Sequence, residues 1–252
     1  MFPIHDDNRD RMHTPVVTYA LITLNAIAFL YTLTLGQNQD FFIANWGVIP
    51  DRFTHLRALP TDYAALTSPV WATLFTSMFL HGGWLHIIGN MLFLWVFGDN
   101  VEDAMGPARY LVFYLLVGLA GNFTHIIFNA NSLAPSIGAS GAIAGVLGGY
   151  IVLKPRGRVT NVLWLGFIII PIVLPAWLDI GYWFLTQLLN GVGTVSANFR
   201  SGGSDGSVAY WAHIGGFIAG VILVKLFTIG RARPSGYGAR IPVPTYDYSR
   251  PR

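Results

Sequence analysis

No cysteine occurs in the 252 residues, which excludes disulfides, a thiolate nucleophile and Cys-ligated metal centres. Charge is nearly as scarce: Asp, Glu, Lys and Arg make up 11% of the chain, against about 25% in an ordinary soluble domain. The 15 Lys and Arg are scattered, with no basic stripe interleaved with aromatics, so nothing marks nucleic acid as a partner. A removable signal peptide is not expected either, because the leading residues are polar and no small-residue cleavage site follows the first apolar run. What the chain has in abundance is hydrophobic surface, 53% of residues. Apolar runs near 20 residues recur, and a helix of about that length crosses roughly 30 Å of hydrocarbon. Lipid is therefore the expected solvent, with several crossings and not one anchor.

Residues 15–36 read as the first span, and 37–68 as a mixed polar, aromatic and proline loop. A second span follows His81-Gly82-Gly83 and ends near Asp99, and the acidic run Asp99 to Asp103 links it to a third over residues 107–128. After a turn cluster at 129–135, a small-residue apolar run opens at Gly138-Ala139-Ser140-Gly141 and stops at Lys154-Pro155-Arg156, too short to span. Residues 159–189 read as one span kinked at Pro171 and Pro175, since such prolines are tolerated in membrane helices. Gly- and Ser-rich 191–207 reads as loop and 208–227 as the last span. The expected fold is an all-α membrane protein, a six-transmembrane-helix bundle with a short central fourth helix. It divides into a cytoplasmic N-terminal segment 1–14, a membrane domain 15–229 and a disordered cytoplasmic tail 230–252. With six crossings, 12 of the 15 basic residues fall on the side of the termini. The positive-inside tendency makes that side the cytoplasm, as in the plasma membrane of a prokaryote.

Helical rise converts sequence position into depth. Ser140 precedes Lys154 by 14 residues, His213 precedes Lys225 by 12, and His86 and Asn90 precede Asp99 by 13 and 9. Their heights above the cytoplasmic end are about 21, 18, 20 and 14 Å. Three helices thus present polar groups near one level inside the hydrocarbon, where unsatisfied polar atoms are costly and ionisable ones mark function. Taken alone, Ser140 is better read as a small packing residue. Together the group suits nucleophilic catalysis. Ser140 opens a helix whose free N–H groups favour negative charge, and His213 is a base at matching height. His86 and Asn90, four apart on one helix face, are candidate oxyanion donors. Gly141, Gly145 and Gly148 bare one helix, and Gly216 and Gly220 bare the other, so the two can approach closely.

The segments His81 to Asn90, Gly138-Ala139-Ser140-Gly141 and Ala212-His213-Ile214-Gly215-Gly216 with Gly220 resemble, in order and spacing, those of the rhomboid intramembrane serine proteases. The resemblance covers the six-helix core. It implies Ser140 as nucleophile, His213 as general base and then acid, and His86, Asn90 and the Ser140 N–H as the oxyanion site. His81, Gly138, Gly141, Gly216 and Gly220 support that site, and Glu102 and Gly106 are implied to be structural. It implies no metal and no cofactor, and substrates that are membrane proteins whose transmembrane helix unwinds near its external end. Two features depart from the pattern: the first loop lacks a Trp-Arg pair that some members show, and where some members carry a tyrosine stacked on the histidine, this chain has Ala144. Trp71 or another aromatic is the expected substitute. Two rivals stay open on sequence alone, a rhomboid-like pseudoenzyme that escorts membrane clients and a small transporter with a proton-relaying histidine, although the latter lacks inverted halves and midplane carboxylates.

Overall fold

The computed structural model describes residues 2–55, 65–201 and 209–231. Among these the order is β1 (Phe2–His5), α1 (Val16–Thr34), α2 (Gln39–Trp46), α3 (Asp51–Thr54), α4 (Val70–Thr76), α5 (Trp84–Met105), α6 (Pro107–Phe128), α7 (Ser140–Leu153), β2 (Arg158–Leu165), β3 (Ile168–Pro175), α8 (Ala176–Ser201) and α9 (Tyr210–Phe227). The tail read as disordered, from residue 232, lies outside the described residues. Among the described residues three helices, α1, α6 and α9, are long and apolar enough to cross a membrane. A fourth candidate is the pair Val70–Phe79 and α5, bent by 80°. The protein is an integral membrane protein, predominantly helical.

The centre of the bundle is the contact of α7 with α9 and α6. Backbones meet there because side chains are missing: a methyl at Gly216 would fall 2.0 Å from the Gly141 carbonyl oxygen, and one at Gly220 the same distance from that of Gly145. Small residues at such crossings let dispersion forces act between whole helices in lipid, where no hydrophobic drive favours association. Tyr110, Phe113, Val117, Leu147 and Tyr150 fill the space around the contact and are fully buried.

Four expectations are corrected. The architecture is not all-α, since β1, β2 and β3 form an antiparallel sheet in that order. Its hairpin, β2 and β3, occupies the first half of the stretch read as one kinked fifth span, and only the second half is helical, as α8. The reason is local. Val159, Thr160, Val162, Ile168, Ile169, Ile170, Ile172 and Val173 are β-branched, and Leu165 pairs with Ile168 across a two-residue turn. Gly166 at φ +64° opens that turn, as a type II′ hairpin requires. Pro171 is accommodated because β3 is an edge strand. Residues 191–201, read as loop, continue α8. The run Asp99 to Asp103, read as a linker, lies inside the last turns of α5, and Gly106 alone joins α5 to α6.

Those acidic turns organise the N-terminal segment. Glu102 accepts hydrogen bonds from the backbone N–H groups of Val17 at 2.9 Å and Thr18 at 2.8 Å and from the Thr18 hydroxyl. It thereby caps α1, which has no side-chain cap of its own. Asp103 accepts from the backbone of Met12 and His13, and Asp99 pairs with Arg11 at 2.7 Å. Asp6, 1% exposed, accepts from Tyr150 Oη and Asn100 Nδ2, each at 2.7 Å. Lys154 Nζ donates to the Asp7 carbonyl and to Asn100 Oδ1. Burial, aided by the neighbouring Asp99 carboxylate, pushes the Asp6 carboxyl up to about 7.

Candidate active site

Ser140 is the first residue of α7. The chain reaches it through Gly138, held at φ +124°, a conformation open to glycine and strained for other residues, with the Gly138 N–H donating to the Ser77 carbonyl at 2.8 Å. A side chain at 138 would sit 2.7 Å from His86 Nε2 and 3.6 Å from Ser140 Oγ. Gly138 therefore clears the space between the imidazole and the hydroxyl. His86 and Asn90 lie one turn apart on α5, and His213 lies in the first turn of α9, where Gly216 and Gly220 press that helix onto α7.

His86, Asn90, Ser140 and His213 line one cavity of about 610 Å³, together with His125 and Trp183. Asn90 Nδ2 is buried and has no acceptor among the described residues, so an amide donor stands ready in the cavity wall. His86 Nδ1 faces the Gly82 N–H at 3.5 Å. His81 is fully buried and stacks edge-on against His86, with ring centroids 5.0 Å apart, bracing it from behind. Ser140 and His213 make no direct hydrogen bond in this structure. Catalytic contacts are commonly long without substrate and tighten when it binds. A helix that starts at Ser140 leaves its first N–H groups unpaired within the helix, at the end where Ser140 lines the cavity, and developing negative charge is favoured at such an end. A hydroxyl, an imidazole, an unpaired amide donor and free backbone N–H groups around one cavity form the set that acyl transfer uses.

The sequence reading missed what surrounds His213. Trp71 is not its aromatic neighbour, being 68% exposed. Trp183 of α8 is, with ring centroids 5.8 Å apart at 33°. Gln187, one turn further along α8, lies with Oε1 2.7 Å from His213 Nδ1. A signal was present: a Trp and a Gln four residues apart in an apolar stretch share a helix face. Reading 159–189 as one kinked span hid the register of that face.

The Rhomboid domain family matches the chain over residues 68–229. Among similar proteins, the Bacillus subtilis protein named rhomboid protease GluP is 30% identical over 90% of this chain and 37% of its own length. The chloroplastic rhomboid-like protein 11 of Arabidopsis thaliana is 29% identical over 74% of this chain and 63% of its own. The mitochondrial rhomboid protein 1 of Saccharomyces cerevisiae is 28% identical over 65% and 43%. The chain thus covers between about a third and two thirds of these relatives' lengths. The match takes in the bent α4–α5 pair, the serine-led α7 and the glycine-faced α9, and on it the chain belongs to the rhomboid family of membrane proteins.

Proposed function

We propose that the protein is an intramembrane serine endopeptidase in which Ser140 is the nucleophile and His213 its base. The observation that carries this reading is the convergence of Ser140, His213, His86 and Asn90 from three helices on one cavity, in a chain similar to the rhomboid protease GluP. Ser140 Oγ attacks the scissile carbonyl carbon as His213 takes the hydroxyl proton. The oxyanion is held by the Ser140 N–H, Asn90 Nδ2 and the His86 imidazole. Collapse breaks the C–N bond, His213 returns the proton to the leaving amine, and water then hydrolyses the ester by the same proton path in reverse. His81, Gly138, Gly141, Gly216 and Gly220 keep this arrangement in place.

The substrates in this reading are membrane proteins whose transmembrane helix unwinds near its extracytoplasmic end, because a hydrogen-bonded helix hides its carbonyls from attack. Residues 15–229 form a bundle of six crossing elements, with α7 the short central one and α8 the fifth. The segments 1–14 and 230–252 then lie on the cytoplasmic side of a prokaryotic plasma membrane, in line with the bias of Lys and Arg. The test is cleavage of a fluorogenic membrane-helix substrate by the full chain in proteoliposomes. Ser140→Ala and His213→Ala are each expected to lose at least about 1,000-fold in kcat. Equal cleavage by all three proteins, or none by any, would end the protease reading in favour of an escort or transport role.

A further inference from the structure

Trp183 and Gln187 project from one face of α8 toward α9, and between them they hold the His213 ring: one packs on it and the other meets Nδ1 at 2.7 Å. The contact is sequestered, with Gln187 9% and His213 7% exposed. Which end of the amide faces the imidazole is decided by its neighbours. Gln187 Nε2 has two acceptors on its own helix, Thr186 Oγ1 at 3.1 Å and the Trp183 carbonyl at 3.4 Å. The Thr186 hydroxyl gives its proton to that same carbonyl at 2.6 Å, so its oxygen is free to accept. With the NH₂ engaged there, the atom turned to His213 is the carbonyl oxygen, which only accepts. His213 Nδ1 must then carry the proton, and Nε2, on the opposite edge of the ring, keeps the lone pair.

Resting on the protease reading above, we propose that Gln187 is a positioning residue that holds His213 in the Nδ1–H tautomer, with Trp183 fixing the ring plane, so that Nε2 is the atom that receives the Ser140 proton. The pair takes over on α8 the task that an aromatic side chain at position 144 of α7 would perform, since Ala144 offers only a buried methyl. An amide is the fitting acceptor at this depth. A carboxylate would also accept from Nδ1–H, but a charged group inside the membrane is costly unless paired.

The test uses the full chain in proteoliposomes, with Ser140→Ala, Gln187→Met and Gln187→Glu beside the wild type. Kinetics of helix-substrate cleavage are combined with thermal unfolding and with ¹⁵N-histidine NMR of the uninhibited protein. Gln187→Met preserves length and removes the acceptor, and is expected to lower kcat about 100-fold while KM changes less than about twofold, a loss within the span of general-base contributions. Its unfolding midpoint should stay within a few degrees of wild type, and the His213 signal should move from the Nδ1–H to the Nε2–H pattern. Gln187→Glu restores an acceptor oxygen and should recover kcat to within about tenfold of wild type. Wild-type kcat in Gln187→Met, a parallel loss in Gln187→Glu with a falling midpoint, or a wild-type His213 already protonated at Nε2 would overturn the proposal. Wild type no faster than Ser140→Ala, with the Nδ1–H signature intact, would instead sink the protease reading beneath it.

Discussion

Asn90 is the side chain at which the proposed catalytic site and a mere packing arrangement differ in what they predict. Its amide nitrogen is buried in the cavity wall without an acceptor. An unpaired buried donor costs about 1–3 kcal/mol, and a reaction that builds negative charge at that point gives the donor a partner only in the transition state. Asn90→Ala is therefore expected to lower kcat about 100 to 1,000-fold with little change in KM, as removal of one oxyanion donor does elsewhere. Because the orphaned group goes with it, the same change should not lower the unfolding midpoint. Steady-state kinetics and a thermal melt on the same preparation check both parts. A raised KM with unchanged kcat would make Asn90 a substrate contact and not an oxyanion donor.

Among the elements, the N-terminal strand carries the clearest pH signature. Strand β1 lies against β2 with Phe2 opposite Val162 and His5 opposite Thr160, and the buried Asp6 follows it immediately. The Asp6 carboxyl rises from an ordinary 3.8 to about 7 on folding, so the folded protein binds a proton that the detached segment releases. That contribution is whole below about pH 4 and is lost as pH rises through about 7. Asp7 works in the opposite sense, drawn down to about 2 by its hydrogen bond to Arg9, and its contribution changes only in more acid solution. Hydrogen exchange of the β1 amides should accordingly speed up between about pH 5 and 8 beyond the intrinsic increase, and Asp6→Asn should remove that excess. An excess that persists in Asp6→Asn would locate the titration elsewhere.

The elements also show why some boundaries were legible and others were not. α1, α6 and α9 follow the apolar runs closely, since length and hydropathy suffice to define a lone membrane helix. The hairpin is not legible in the sequence because its β-branched residues are as apolar as those of a span, and averaged hydropathy does not distinguish a strand from a helix. The acidic turns of α5 look like a linker in the sequence because their partners, Arg11, His13 and the start of α1, lie about 85 to 90 residues away. No local pattern reports such pairing.

For the molecule as a whole, Ser140, His213, His86 and Asn90, which rise per residue sets at similar heights along three helices, line one cavity. Rise per residue carries no information about what lies sideways, and so Trp183 and Gln187 of α8 beside His213 are not legible from it. The bundle brings these helices together through glycine contacts between α7 and α9, and the acidic end of α5 ties the N-terminal segment beneath them. Everything assigned to function passes through one event, proton transfer from the Ser140 hydroxyl to His213. The measurement that addresses it directly is mass-spectrometric mapping of a fluorophosphonate adduct on the full chain in lipid. A single adduct on Ser140 is expected in wild type, with the rate of labelling reduced at least about 100-fold in His213→Ala. An adduct on another serine, or labelling of Ser140 at the same rate without His213, would contradict the account.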